Sequence, residues 1–197
     1  MTLAAGIIGG ASDKHARNHA DFYATPPEAT WALLPHLPNH GSVLEPCCGD
    51  GAIAKVVQAS GRFTKVFASD LHDRGYAPGG VDFRSYDPEV LADYGIAVVT
   101  NPPFTLAAEF IEHYCAQTKR PWVALLLKGS FWHAASRADL FVRTAPACVM
   151  PLTWRPNMDP SRGKSSLMEF AWTLWAPWRV QECAYKLLHR ANGVDND

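Results

Sequence analysis

Apolar and polar positions along the chain fall into blocks whose period switches between strand-like and helical spacing. Ser42–Glu45 reads as a buried strand that runs into a glycine turn, and Ala52–Ala59 as the helix that follows. Lys65–Ser69 is a second strand closed by Asp70, Val81–Phe83 a short third, and Pro88–Tyr94 a short helix. Ile96–Thr100 is a β-branched strand that stops at Asn101-Pro102-Pro103-Phe104. Leu106–Gln117 has helical spacing, Trp122–Leu127 is a strand and Ala134–Val142 a helix. Two further strands lie around Cys148–Thr153 and Leu167–Trp175, separated by a Pro/Gly/Asn/Ser loop, Arg155–Ser166, without a strong period. Upstream, Thr25-Pro26-Pro27-Glu28 has the form of a helix start, with Thr25 as cap and Glu28 completing a capping box. Trp31, Leu33 and Leu34 carry that helix until Pro35 and Pro38 end it.

Strands that alternate with helices predict a parallel sheet covered on both faces. The last two strands lack an intervening helix, which predicts an antiparallel hairpin at the edge. The expectation is an α/β, Rossmann-like, seven-stranded and mostly parallel sheet. Residues 1–20, with Gly6, Gly9, Gly10, Ser12 and Asn18, read as a mobile arm. Residues 21–180 read as one domain and 181–197 as a tail.

Composition narrows the class. The 197 residues are 48% hydrophobic and 19% charged, which excludes a disordered, collagen-like or coiled-coil chain. No apolar stretch reaches the roughly 18 residues that a membrane span needs. Met1–Ala11 has no Lys or Arg before Ile7-Ile8 and makes a poor signal peptide, so a cytoplasmic location is expected. Five cysteines without C-x-x-C spacing and eight histidines without ligand spacing point to neither a structural metal nor a disulfide framework. Adjacent Cys47 and Cys48 read as small buried residues of a tight loop.

The net charge of −1 conceals a split. Residues 1–117 hold 7 basic and 13 acidic side chains, a net −6, whereas residues 118–197 hold 11 and 6, a net +5. A chain divided in this way suits a cationic ligand on one surface and an anionic one on another.

Two motifs carry chemistry. In Val43-Leu44-Glu45-Pro46-Cys47-Cys48-Gly49-Asp50-Gly51 a strand enters a glycine-rich turn before a helix, the place where a doubly wound fold binds a nucleotide-like ligand. The G-x-G-x-x-G fingerprint and a P-loop lysine are both missing. Glu45, Asp50 and Asp70 surround the turn with carboxylates instead, which suits an adenosine with a cationic tail such as S-adenosylmethionine. Asp70, 25 residues after Glu45 at the end of the second strand, can accept both ribose hydroxyls.

The second motif, Asn101-Pro102-Pro103-Phe104, holds a rigid turn at a strand's carboxyl end. Such a turn can aim the Asn101 side-chain oxygen and the Pro102 carbonyl at one planar NH₂ group while Phe104 stacks on its ring. No nucleophilic side chain and no metal is needed for that chemistry.

This combination resembles the class I S-adenosylmethionine-dependent amino-methyltransferases, whose motif is [DNS]-P-P-[YFW]. Ile8-Gly9-Gly10, Asp21–Glu28 and the tail from Arg155-Pro156 through Gly163-Lys164 to Ala171-Trp172 and Trp175 are similar to the small phage and prophage DNA N-6 adenine methyltransferases. The resemblance spans about residues 8 to 176. It implies that Tyr23, Thr25 and Pro26 close over the methionine end of the cofactor. It implies that Glu45, Pro46 and Gly49, with Cys47 and Gly51 of the same turn, line the amino-acid and ribose region. Asp70 would hold the ribose, with Leu71 beside it. Asp82 would meet the cofactor's adenine amine and Phe83 its ring, with Asp87 as the substitute for Asp82. Asn101, Pro102, Pro103 and Phe104 would be catalytic, with Asn101 also touching the cofactor.

The family's tail places an aromatic two residues after Arg-Pro, where this chain has Met158. Trp154 or Trp132 is the substitute for a second stacking ring. Lys128, Arg155, Arg162 and Lys164 lie in the basic half as candidate phosphate contacts. Trp122, Trp172 and Trp175 fall in strand patterns and read as core. The implied activity is methyl transfer to the exocyclic amine of adenine in DNA, either a base flipped from a duplex or one in a single strand. The same turn serves methyltransferases that act on RNA bases and on a glutamine side chain, and a silent cofactor-binding module is a further alternative. Only residues 128–166 offer length for target recognition.

Overall fold

A computed structural model of the protein describes residues 22–38, 41–158 and 168–190. The expected arm at residues 1–20, and Arg162 and Lys164, lie outside these residues. The strands are β1 (Ser42–Glu45), β2 (Lys65–Ala68), β3 (Ile96–Thr100), β4 (Val123–Lys128), β5 (Cys148–Pro151), β6 (Phe170–Trp175) and β7 (Ala184–Tyr185). The helices are α1 (Pro27–Leu33), α2 (Ala52–Ala59), α3 (Pro88–Asp93), α4 (Ala107–Cys115) and α5 (Ala138–Arg143). One seven-stranded sheet runs in the order β2-β1-β3-β4-β6-β5-β7. β2, β1, β3 and β4 are parallel, β6 is antiparallel to both β4 and β5, and β7 pairs parallel with β5.

Why the central strands are strands follows from burial on both faces. β3 and β4 are nearly continuous runs of apolar residues, the pattern of a sheet with helices on each side. The period of two splits them cleanly. Val43, Ala97, Val99, Ala124 and Leu126 enter one core with residues of α1 and α2. Leu44, Val98, Val123, Leu125 and Leu127 enter the other with Phe110 and Tyr114 of α4. β2, at the sheet edge, is half-exposed and begins with a lysine. Trp172 and Trp175 are core as expected, and their indole N–H groups donate to Ala29 O at 2.8 Å and Thr144 O at 2.6 Å. Trp122 is partly buried and meets Trp178 edge-on, with ring centroids 5.2 Å apart.

Three expectations change. Val81–Phe83 is not a strand: the Asp82 carboxylate accepts the Arg84 N–H at 2.9 Å and starts a 3₁₀ turn over Phe83–Ser85. The seventh strand is instead β7, within the stretch expected as a tail, where Ala184 N–H donates to Ala147 O and Lys186 N–H to Val149 O. The antiparallel pair β5 and β6 forms as expected, but β7 lies outside it. Thr25 caps no helix, because Pro26 occupies the cap position of α1 and the Thr25 hydroxyl is engaged elsewhere.

The chain leaves β1 through α2 to β2 on one side and reaches β3 on the other. This reversal opens a crevice at the carboxyl ends of β1 and β3. Glu45 and Asn101 stand at those two ends.

Candidate functional site

The crevice holds a cavity of about 760 Å³. Its floor is the turn after β1. Gly49 (φ 56°) and Gly51 (φ 82°) take the left-handed conformation that lets this turn fold back into α2. A Cβ on Gly49 would fall 2.1 Å from Phe22 Cε2, and one on Gly51 would fall 2.4 Å from the Tyr76 ring, so both glycines are packed against aromatic rings.

Two carboxylates tie the turn to its neighbours. Glu45 is buried, and its Oε2 accepts the Ala54 N–H at 2.7 Å, one of the free donors in the first turn of α2. Burial pushes the Glu45 carboxyl well above the usual range, and the nearby Asp50 and Asp70 add to this against the Ala54 hydrogen bond. Asp70 accepts the Gly49 N–H through Oδ2 and the His72 N–H through Oδ1, both at 2.8 Å. It therefore joins the glycine turn to the end of β2. Asp50 accepts the Ala52 N–H at 3.2 Å. With Asp82, these acids give the cavity four carboxylates. Burial, and then the same charges, raise the thiols beside them, Cys48 to about 12 and Cys47 as well, so neither is a thiolate near neutrality.

Asn101 stands across from the acids. Its Nδ2 donates to the Thr25 hydroxyl at 3.1 Å and to the Tyr23 carbonyl at 3.3 Å. A carbonyl can only accept, so the amide nitrogen must face it and the orientation of the side chain is fixed. Oδ1 consequently points away from both partners, and it is buried without a hydrogen bond among the described residues. The Pro103 carbonyl accepts the Leu106 N–H at 2.9 Å, locking the turn onto the start of α4. The Phe104 ring stacks with Tyr23 (centroids 5.3 Å apart, 21° between planes) and leans on Phe170 at 5.9 Å. The Lys128 ammonium lies 3.6 Å from the Phe104 centroid.

The structure brings most of the expected residues to this cavity: Tyr23, Thr25, Glu45, Cys47, Asp70, Leu71, Asp82, Phe83, Asn101, Pro102, Pro103, Phe104 and Lys128 line it. Pro26, Pro46, Gly49 and Gly51 do not line it but shape the segments that do. Asp82 is at the wall, paired with Arg84 at 2.9 Å, whereas Asp87 caps α3 by accepting the Glu89 N–H. Phe83 is buried, stacked on Phe110 with centroids 3.8 Å apart. Met158 is buried in the core. Trp132, Trp154 and Arg155 line a separate cavity of about 550 Å³.

Sequence reasoning missed Phe22, Arg74 and Arg84 as lining residues. Arg74 lies over the Phe22 ring at 4.4 Å, and Arg84 pairs with Asp82 and Glu109. Phe22 and Arg74 come from segments without period and Arg84 from the 3₁₀ turn; in sequence only their places beside Tyr23, Asp70 and Asp82 signalled them. No group of three or more His, Cys, Asp and Glu side chains among the described residues could hold a metal ion. No described helix is long and apolar enough to cross a membrane.

No family model and no curated protein matches the sequence. Solved structures do match. A protein of Listeria monocytogenes assigned as a class I S-adenosylmethionine-dependent methyltransferase superposes with a TM-score of 0.54 at 12% identity, covering 92% of this chain and 70% of its own. A modification subunit assigned to a type I restriction enzyme of Vibrio vulnificus gives 0.58 at 12% identity, covering 93% of this chain and 49% of its own. The 23S rRNA methyltransferase ErmE gives 0.52 at 14% identity, covering 76% and 66%. The chain thus spans about half the length of the type I subunit and about two thirds of the other two. Its seven-stranded sheet is the Rossmann-like fold of the class I methyltransferases.

Proposed function

We propose that the protein transfers a methyl group from S-adenosylmethionine to the exocyclic amine of adenine in DNA. One observation carries the reading: the Asn101 amide is clamped through its nitrogen, leaving a buried oxygen that has no hydrogen-bond partner among the described residues, in a cavity that also holds four carboxylates. An unpaired buried acceptor costs free energy until a donor arrives, and a planar NH₂ group is such a donor. The acid-rich end fits a cofactor with an ammonium and a sulfonium charge.

In this reading Asp70, Leu71 and Asp82 hold the adenosine part, while Glu45, with the glycine turn, faces the cationic amino-acid part. When bound, the cofactor supplies an electrophilic methyl carbon. Asn101 Oδ1 and the Pro102 carbonyl accept the two amine hydrogens and increase electron density on the target nitrogen. Phe104 holds the base by its face, and a ring that stacks there displaces the Lys128 ammonium toward the phosphates of the strand. The methylated nitrogen is cationic and releases its proton readily, so no dedicated base is required. Alignment and fixed dipoles supply the catalysis.

The choice of DNA rests on the flanking sequence features at Asp21–Glu28, Arg155-Pro156 and Ala171–Trp175 and on the basic half of the chain. Fold alone does not choose, since ErmE is an rRNA methyltransferase and shares it. The test is transfer of a radiolabelled methyl group to DNA, RNA and protein offered in parallel. Label in DNA is expected; label confined to RNA or protein overturns the choice of substrate, and label in none overturns the activity.

A further inference from the structure

The second cavity, about 550 Å³, opens on the same edge of the sheet as the catalytic turn. β6 runs antiparallel to both β4 and β5, so Phe170 at its start lies beside Lys128, the last residue of β4, and Ala171 lies beside Pro151, the last of β5. Phe170 is the shared wall: it lines the second cavity and also leans on Phe104 at 5.9 Å. An occupant of this cavity is therefore a neighbour of whatever stacks on Phe104.

Its lining has a definite chemistry. Trp132 and Trp154 both contribute, and each has a buried indole N–H without an acceptor among the described residues. Trp172 and Trp175, the core tryptophans, both have acceptors, so the unpaired donors set these two apart. A buried indole N–H normally finds a partner. Tyr185, 70% exposed, adds an aromatic ring at the rim. Arg155 at the mouth pairs with Glu169 at 2.8 Å, with both side chains more than half exposed. An exposed pair of this kind is weak, so Arg155 can exchange its carboxylate for a phosphate at little cost. Aromatic faces, acceptor-seeking donors and an exchangeable arginine together match one occupant: a nucleotide, with a π-face, ring and carbonyl acceptors, and a phosphate.

We propose that this cavity holds the nucleotide next to the target adenine in the same strand. The proposal rests on the adenine-methyltransferase reading and gives that reading a substrate unit longer than one base. It also offers a source of target preference that needs no separate recognition domain, because a flanking base would be selected where Trp132 and Trp154 meet it.

The test uses the full chain and short single-stranded oligodeoxynucleotides with one central adenine. In one series the base on either side is replaced by an abasic sugar, which keeps the phosphate. For the wild type, kcat/KM is expected to fall about tenfold with an abasic site on one side of the adenine and to change little with it on the other. Tyr185→Ala and Trp154→Leu should lower kcat/KM on the intact strand, leave kcat within about twofold, and respond little to the abasic site. Trp154→Phe should restore much of the dependence, which separates lost stacking from lost packing. An equal response to the abasic site in wild type and both variants overturns the proposal, as does a wild type indifferent to both flanks. A second readout does not depend on catalysis: fluorescence anisotropy with labelled oligothymidylate, which offers no target base. Binding weakened about tenfold in Trp154→Leu and Tyr185→Ala supports the subsite even if no adenine is methylated, whereas equal binding contradicts it.

Discussion

Replacement of Asn101 by alanine tests the catalytic geometry in a way that separates chemistry from folding and from cofactor binding. The change removes two hydrogen bonds, to Thr25 at 3.1 Å and to Tyr23 O at 3.3 Å, which tie the segment before α1 to the end of β3. At about 1 kcal/mol each, the loss of stability is about 2 kcal/mol. For a chain of this size that lowers the melting temperature by about 4–8 °C, leaving the protein folded at 25 °C. The catalytic loss is larger. In the proposed reading Asn101 Oδ1 is a pre-aimed dipole at the reacting amine, and removal of one such group costs about 10²–10³ in rate. Cofactor affinity should stay within a few-fold, because the four carboxylates remain. Single-turnover transfer of labelled methyl to an adenine oligonucleotide reads the rate, calorimetry reads cofactor affinity, and a thermal melt reads stability. The reasoning fails if the folded variant keeps more than a tenth of the wild-type rate. It fails equally if cofactor binding is lost while the melt remains cooperative. Thr25→Val is a graded companion. It removes one clamp, loosens the amide without deleting Oδ1, and should slow transfer about fivefold.

Further outcomes follow from the acids and from Lys128. Glu45 has its carboxyl raised above the ordinary range mainly by burial, so the folded protein holds a proton that the unfolded chain has already lost. Stability should therefore fall as pH rises from the ordinary carboxyl range through the raised folded value, and be unaffected by Glu45 below that range. A cationic cofactor reverses the preference: binding should expel this proton and tighten as pH rises, and calorimetry in buffers of different ionisation enthalpy that found no proton release would count against Glu45 facing the cation. Asp70→Asn sets an amide donor against either the Gly49 or the His72 N–H, at a cost of about 1–3 kcal/mol. It should lower the melting temperature and weaken cofactor binding together, and loss of only one of these would separate the structural role from the ribose role. Lys128→Met should reduce the slope of log affinity against log salt by about one if the ammonium moves from Phe104 to a phosphate, and an unchanged slope would place it elsewhere.

Much of this architecture is legible in the sequence where a residue's role is local or fully buried. β3 and β4 announce themselves because apolar residues occupy both faces, and the two prolines after Thr100 leave the chain no way to extend the strand. β7 is invisible by the same logic: two exposed residues carry no period, and they are a strand only because β5 offers an open edge. Val81–Phe83 misleads because Asp82 competes for its own backbone, a choice that alternation does not encode. At the site, Asn101 and Asp70 are foreseeable from their places at strand ends. Two features are not: the Thr25 hydroxyl is diverted from a helix cap to the Asn101 amide 76 positions away, and tertiary packing sets Phe22 against Gly49 with Arg74 over its ring.

The central claim is that the Asn101–Phe104 turn presents an adenine amine for methylation. The most direct measurement incubates the protein with isotope-labelled S-adenosylmethionine and adenine-containing DNA, digests the product to nucleosides, and locates the label by mass spectrometry. The account predicts label on the N6 nitrogen of deoxyadenosine, lost in Asn101→Ala. Label on a ring carbon, on another nucleoside, or undiminished in that variant would contradict it.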